Sequence, residues 1–438
     1  MVGSPMFVAL SKQAAIVCAS AIVLVLAGCA STTMPASATV PSFFASAEVG
    51  THSAVALPSG PAAEVHSTEA SPPETGDPMA TRLSVEIDKT RNKYGLPPMV
   101  HDGRLDRAAS DLASLTAASG FPASGVMESL LSYYGVVDPR PYVLLKYGNE
   151  DGEADAVANL EKELSNNPDF AEWRRFGIGI KRVSEKWMAF FLFHEKHVDL
   201  SPVPTRLPSG GSARLVWRIP VSLNSPEVLV TPPDAPVVQI PNAEHQGSFS
   251  ALFQCDQGNG AYRVEIAAQG TRGPMPVANF PVYCGVVPPL PELRSAPVAR
   301  VSNPTVVEDE LFELMNRDRQ THGLAPLVRD ERLSRVARRY SEEMSETGAV
   351  AHVSRRSGGV GDRVQAAGVS PLPTTLAENV ATDLTAAAVE LGFMASPGHR
   401  DNILNPTFTR VGVGVAVGRE SGGFVPLFFT QVFAVYGP

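Results

Sequence analysis

The sequence predicts an α+β protein in which two related modules, each helical first and stranded last, flank a small β-rich unit. Three observations carry this. The chain repeats itself: residues 92–112 (NKYGLPPMVHDGRLDRAASDL) and 320–340 (QTHGLAPLVRDERLSRVARRY) share the frame Gly-Leu-x-Pro-(Met/Leu)-Val-x-Asp-x-Arg-Leu-x-Arg-x-Ala, with Gly95 standing 228 positions before Gly323. A strand with alternating glycines returns near each module's end, Phe176-Gly-Ile-Gly-Ile180 in one and Val411-Gly-Val-Gly-Val415 in the other, and an aromatic strand follows each. Between the modules, 201–298 is rich in Val, Pro, Thr and Ser, with short alternating runs such as Tyr262-Arg-Val-Glu-Ile266, the pattern of a small antiparallel sandwich of Ig-like type. Two echoes in the same order place the duplicated modules at 80–198 and 300–438.

The elements of the second module follow from periodicity. Val307, Leu311, Leu314 and Met315 recur at helical spacing, and Gly323 suits the stop. Asp330 is placed to cap a second helix, whose buried face is Leu333, Val336, Ala337, Tyr340 and Met344. A third helix is expected over Thr385–Ala395, after which Ser396-Pro397 reads as a cap and first-turn proline. Val411–Val417 and Pro426–Val435 read as strands, and Gly412 and Gly414 leave one strand face bare for a close neighbour. This is not a dinucleotide loop, because the spacing alternates and no GxGxxG is present. The module is therefore expected to be an α/β/α sandwich.

Composition narrows the partners. Across 438 residues, 45 acidic against 36 basic side chains give a net charge of −9, which excludes a broad electrostatic attraction to nucleic acid. Four cysteines are too few for a disulfide-built scaffold or a four-cysteine zinc module. Residues 1–28 carry a single charge, Lys12, then an apolar run from Ala14 to Leu26, the layout of a secretory signal and too short for a spanning helix. The exit Leu26-Ala27-Gly28-Cys29 resembles a bacterial lipobox, which implies lipidation of Cys29 and cleavage before it. Residues 29–80 are Ser/Thr/Ala/Pro-rich with little apolar pattern, and read as a disordered tether of roughly 40 Å reach. Localisation at the cell envelope, periplasmic or surface-exposed, follows, with the membrane as a partner through the anchor. Cleavage leaves Cys255 and Cys284 in an oxidising setting, where they are expected to form one disulfide.

Three polar residues stand out for chemistry: His352 past the second helix, Glu378 in Leu376-Ala-Glu-Asn-Val-Ala381, and His399 in Ser396-Pro-Gly-His-Arg-Asp-Asn-Ile-Leu404. Two imidazoles and a carboxylate form a workable set for a divalent cation such as zinc, with a position left for water or ligand. Individually each has a blander account: a histidine after a helix is commonly a surface residue, and a Glu-Asn pair commonly a turn or a buried hydrogen bond. His194 and His197 in Phe193-His-Glu-Lys-His-Val198 follow a strand-like run, where their spacing sends them to opposite faces.

The second module resembles the bacterial members of the CAP superfamily, also called SCP, which groups cysteine-rich secretory, antigen-five and pathogenesis-related proteins. The resemblance rests on Asn316-x-x-Arg319, Gly323-Leu-Ala-Pro-Leu-Val328, Asp330-x-x-Leu333, Tyr340-Ser341, His352, Asp362-Arg363, Glu378-Asn379, Ser396-Pro-Gly-His-Arg-x-Asn-Ile-Leu404 and Val411-Gly-Val-Gly414. It implies an α/β/α sandwich with a central cleft that often holds two His and two Glu. His352, Glu378 and His399 match three of these, and the fourth falls at Ser396. One missing carboxylate weakens the metal expectation, and the resemblance gives Asn379 a supporting role. The first module resembles the same family faintly. Ser124 stands where His352 would, and no Glu-Asn or Pro-Gly-His-Arg motif appears between 125 and 175, so it reads as a degenerate copy.

Three functions are consistent with these residues. One is an envelope-tethered binding or interaction protein, its cleft taking a lipid, glycan, peptide or cell-wall fragment. Another is a metal-dependent hydrolase with water on His352 and His399 and Glu378 as base. The third is a structural lipoprotein with a vestigial site. No HExxH or Gly-x-Ser-x-Gly motif supports the hydrolase.

Overall fold

The computed structural model describes residues 19–20, 24–28, 56–74, 76–139, 141–167, 169–295, 303–419 and 425–437. The expected lipidated Cys29, the tether as far as residue 55 and most of the signal segment lie outside the described residues. Within the expected signal segment, Ala19–Ser20 and Leu24–Gly28 run parallel to Thr375–Asp383 and Tyr142–Asn149, at the edges of two sheets. From residue 56 the tether expectation is corrected. Val65–His66 pairs with Val203–Pro204, the Ser59 amide donates to Asp111, and Asp77 caps helix Pro78–Lys93 by accepting from the Met79 amide at 2.7 Å. Composition averaged over fifty residues hid these few anchoring contacts, which long-range partners supply.

The repeat in sequence is a repeat in topology. The first module's sheet runs Leu24–Gly28, Tyr142–Asn149, Lys186–Glu195, Trp173–Val183, Val100–His101. The second runs Ala19–Ser20, Thr375–Asp383, Leu427–Val435, Arg410–Val417, Val328–Arg329, in the same order. Each sheet carries one helix against its glycine strand, Gly103–Ser119 in the first module and Glu331–Thr347 in the second. The glycines explain how close that helix lies. A Cβ added at Gly179 would sit 2.0 Å from the Ser110 amide nitrogen, and one at Gly414 would sit 2.1 Å from that of Arg338. Both helices start at an aspartate: Asp102 accepts from the Arg104 amide at 3.0 Å and Asp330 from that of Arg332 at 2.9 Å. The buried Arg91 and Arg319 likewise match, each donating to a carbonyl six residues on, Pro97 and Ala325.

The opposite faces differ. The first module packs Pro78–Lys93 and Glu153–Ser165 there, whereas the second packs Pro304–Thr321, Ala386–Ala395 and the short helix Pro397–Leu404. Mixed helix and sheet content confirms the α+β class.

The middle domain is two facing sheets around Trp217, Phe253 and Phe280. Its longest element is the hairpin Gly260–Gly270 and Gly273–Cys284. Cys255 and Cys284 form a disulfide with Cα atoms 5.7 Å apart, joining a strand end in one sheet to a strand end in the other. Closing a loop with a sequence separation of 29 contributes about 3–4 kcal/mol by constraining the unfolded chain.

Burial also sets a pH limit. Loss of hydration lowers the imidazole pKa of His66 to about 3 and of His194 to about 4, so both stay neutral in the fold. Unfolded histidines protonate near pH 6.5. The unfolded state therefore binds more protons below that pH, and stability falls as pH drops from about 6.5 towards 4, each residue adding up to about 1.4 kcal/mol per pH unit. Urea midpoints measured across this range should decline, and His194→Leu should flatten the decline whatever it does to stability at pH 7.

Candidate functional site

The site is organised by one strand of the second module's sheet. Glu378 and Asn379 lie mid-way along Thr375–Asp383, opposite Val432 and Gln431. Side chains alternate along a strand, so the two residues serve opposite faces.

On the face of helix Glu331–Thr347, Glu378 meets two cationic or proton-bearing partners. His352 Nδ1 lies 2.9 Å from Glu378 Oε2, and Arg363 Nη2 donates to Oε1 at 2.5 Å. All three side chains are buried. Arg363, from helix Val360–Ala366, also donates to the Gly358 carbonyl and stacks with its guanidinium carbon 3.5 Å from the Tyr340 ring centroid. The Tyr340 hydroxyl donates to the Ala351 carbonyl, fixing the loop that carries His352. Burial, then the neighbouring Glu378 charge, pushes the Tyr340 phenol well above its ordinary pKa, so it stays a donor. His352 Nε2 is buried and meets no hydrogen-bond partner among the described residues.

On the other face, Asn379 ties the strand to helix Pro397–Leu404. Its Nδ2 donates to the His399 carbonyl at 3.3 Å and to Gln431 Oε1 at 3.0 Å, while Asn402 Nδ2 donates to Asn379 Oδ1 at 2.9 Å. Gln431 donates in turn to Glu390. Burial, then the charge of Asp318, raises the Glu390 carboxyl well above the carboxylate range, which keeps this network neutral. The His399 ring packs on Phe393 with centroids 4.7 Å apart.

The three expected residues are thus divided. His352 and Glu378 are joined directly, whereas His399 is held to the strand through its main chain and Asn379. Among the described residues no three His, Cys, Asp or Glu side chains are placed to hold a metal ion. The expected zinc set is therefore not assembled among the described residues, and Arg363 holds one oxygen of the Glu378 carboxylate. The His194–His197 pair makes no such group either: His197 pairs with Glu195 at 2.5 Å, and His194 is buried at the end of its strand.

The middle domain reaches both histidine-bearing segments with one hairpin. At the hairpin's turn, the Arg272 carbonyl accepts from the amides of His352 at 3.2 Å and Val353 at 3.0 Å. Gly273 beside it has φ +100 and leaves 3.0 Å between an added Cβ and His352 Cβ. Further along, the buried Glu265 accepts from Ser396 Oγ at 2.8 Å, the Gly398 amide at 3.2 Å and Asn279 Nδ2 at 3.2 Å. This corrects the expected capping role of Ser396, whose side chain makes no cap bond. A carboxylate from another domain caps the helix instead, where its charge suits the helix N-terminus and the serine hydroxyl donates to it. Glu265 stands 131 residues from Ser396, and no local pattern could have linked them. Gln431 and Glu390 were also missed, since an isolated amide or acid in an apolar stretch carries no periodic signal, and Asn402 was visible only within the Ser396–Leu404 motif. Arg363 was visible only as part of the Asp-Arg motif.

In the first module the same register positions are apolar. Gly177 aligns with Leu192 and Val143 as Gly412 aligns with Val432 and Glu378, so Val143 and Leu144 replace the Glu-Asn pair, and both are buried. Core packing there took the place of the polar network.

These features define a class. Residues 312–433 match the sequence model of the cysteine-rich secretory protein family, CAP, and the second module is a CAP domain. More particularly, the chain is 38% identical over 147 residues to the uncharacterized protein YkwD of Bacillus subtilis (strain 168), covering 33% of this chain and 54% of that one. It is 38% identical over 113 residues to the uncharacterized membrane protein YlbC of the same organism, covering 25% of this chain and 32% of the relative. The chain therefore spans about half the length of the first relative and about a third of the second. Among solved structures, an extracellular SCP-domain protein from Bacillus anthracis str. Ames is matched over 71% of this chain and 93% of its own, at 19% identity and a TM-score of 0.26. A cysteine-rich secretory protein from Staphylococcus aureus subsp. aureus Mu50 is matched over 59% and 85%, at 13% identity and a TM-score of 0.25. Both structural likenesses are too distant to bear on function.

The Arg363–Glu378 pair should be strongly coupled. Glu378→Ala strands a buried guanidinium and should cost about 3–5 kcal/mol in urea unfolding. A double change, Glu378→Met with Arg363→Met, should cost clearly less than the sum of the two single changes.

Proposed function

We propose that this chain is an extracytoplasmic, envelope-tethered binding protein, and that its CAP site recognises a ligand rather than turning one over. The observation that carries this is the state of Glu378. Both of its oxygens are engaged, one by the Arg363 guanidinium and the other by His352. A carboxylate with both oxygens held by fixed partners can accept a proton from a bound water only by giving up one of those contacts, a poor arrangement for a general base. This arrangement supports the binding reading over the hydrolase one.

Two further points support the tethered reading. Leu26-Ala-Gly-Cys29 supplies the lipidation motif, and no helix among the described residues is long and apolar enough to cross a membrane. A lipid on Cys29 and the segment before residue 56 would hold the domains away from the bilayer, within reach of the cell wall. The middle-domain hairpin rests on both histidine-bearing segments, so an occupant of the site has to displace or accommodate that hairpin.

Binding can be read with purified peptidoglycan as the probe. Wild-type protein should co-sediment with it, and Glu265→Ala, which loosens the hairpin, should increase retention several-fold. His352→Ala with His399→Ala should abolish retention while circular dichroism stays native. Equal behaviour of all three proteins would favour the structural reading with a vestigial site and overturn this one. Separately, Cys29→Ser should move the protein from the membrane fraction to the soluble fraction; continued membrane retention would remove the anchor from the proposal.

A further inference from the structure

A cavity of about 280 Å³ lies where the three domains meet, away from the CAP site. Its walls come from helix Val126–Tyr133, the middle-domain strand carrying Arg263, the Pro288–Pro291 segment and helix Ala386–Ala395. The size falls just below the roughly 300 Å³ at which pockets for drug-sized ligands begin, so it suits a small molecule.

Two polar side chains in this cavity are unexplained by the fold. Arg263 lines it and forms no hydrogen bond or ion pair among the described residues. Burial lowers its pKa, yet the guanidinium remains a cation, its charge favoured by Tyr283, Glu128 and Glu265. Glu265, two residues along the same strand, is already engaged by Ser396, Gly398 and Asn279. His66 is 1% exposed, and neither of its ring nitrogens meets a hydrogen-bond partner. The Pro281 carbonyl is close enough to favour a proton slightly, without hydrogen-bond geometry, and the ring stays neutral. Leaving a partly desolvated guanidinium and a buried imidazole unmatched costs stability, and a carboxylate would satisfy both, one oxygen pair on the Arg263 fork and the His66 N–H beside it.

The rest of the wall selects the body of the ligand. Pro288, Pro289 and Tyr283 offer flat faces, and the rim residues Leu290 and Leu391 are 57% and 46% exposed, unusually open for leucine. Glu128 and Glu292 also line the cavity and would oppose a second negative charge. We propose that this junction is a binding site for a small aromatic monocarboxylate, held by Arg263 and His66 and stacked on the proline segment. Such a ligand would touch all three domains at once and so stabilise their mutual arrangement.

Saturation-transfer NMR and thermal unfolding of the full mature chain, with benzoate, benzylamine and benzyl alcohol as probes, test this. Benzoate should bind saturably and raise the unfolding temperature, and the other two should bind at least tenfold more weakly. Arg263→Met should weaken benzoate at least tenfold and His66→Phe several-fold. Should Arg263→Met fail to fold, Leu391→Trp, a rim change that fills the opening without touching the charge, should still reduce benzoate binding. No saturable benzoate binding, equal binding of benzylamine, or benzoate binding unchanged by the rim variant would each overturn the proposal.

Discussion

A carboxylate buried in the CAP domain must be neutralised where it stands, and the arrangement around Glu378 follows from that constraint. Arg363 supplies the counter-charge and His352 takes the second oxygen. Arg363 can reach only because helix Val360–Ala366 lies over the strand and Tyr340 gives its guanidinium a ring to stack on. Tyr340 in turn pins the His352 loop. Removing the charge would relax every one of these positions, whereas the neutral amide network on the opposite face would survive it. The histidine is thus oriented by an acid and the acid is held by a cation.

The first module shows the same backbone solving a different problem. With Val143 and Leu144 in the strand, no counter-charge is needed and the face fills with apolar side chains. What the two modules share is the close helix-on-strand approach that Gly177, Gly179, Gly412 and Gly414 permit. What they do not share is any reason to keep an arginine or histidine beside the strand that carries Glu378 in the second module. Duplication preserved the geometry because packing is intolerant of an added Cβ, and the polar residues were free to be lost in one copy.

The middle domain is more than a spacer. Its hairpin contributes a backbone carbonyl to one histidine segment and a carboxylate to the helix that bears the other. A helix of this length is stabilised appreciably by an anion at its N-terminus, so the position of Pro397–Leu404 depends on a residue outside the CAP domain. The site's exposure and rigidity are properties of two domains together.

Much was determined by the sequence alone: the α+β class, the duplicated modules, the helix start at Asp330, the role of the paired glycines and the Cys255–Cys284 bond. These are legible because periodicity, caps and steric minimum are local, or because a repeat exposes them twice. The pairing of His352 with Glu378 was also foreshadowed, since both belong to a motif set. Only the tertiary structure decided that Arg363 closes the acid, that His399 is tied to the strand through its carbonyl and Asn379, that Glu265 rather than Ser396 caps its helix, and that residues 56–80 pack against the modules. Each of those depends on which side of a pleated strand a residue falls, or on a partner more than ten residues away in another element. Charge compensation and face alternation act through space, and a linear pattern does not carry them.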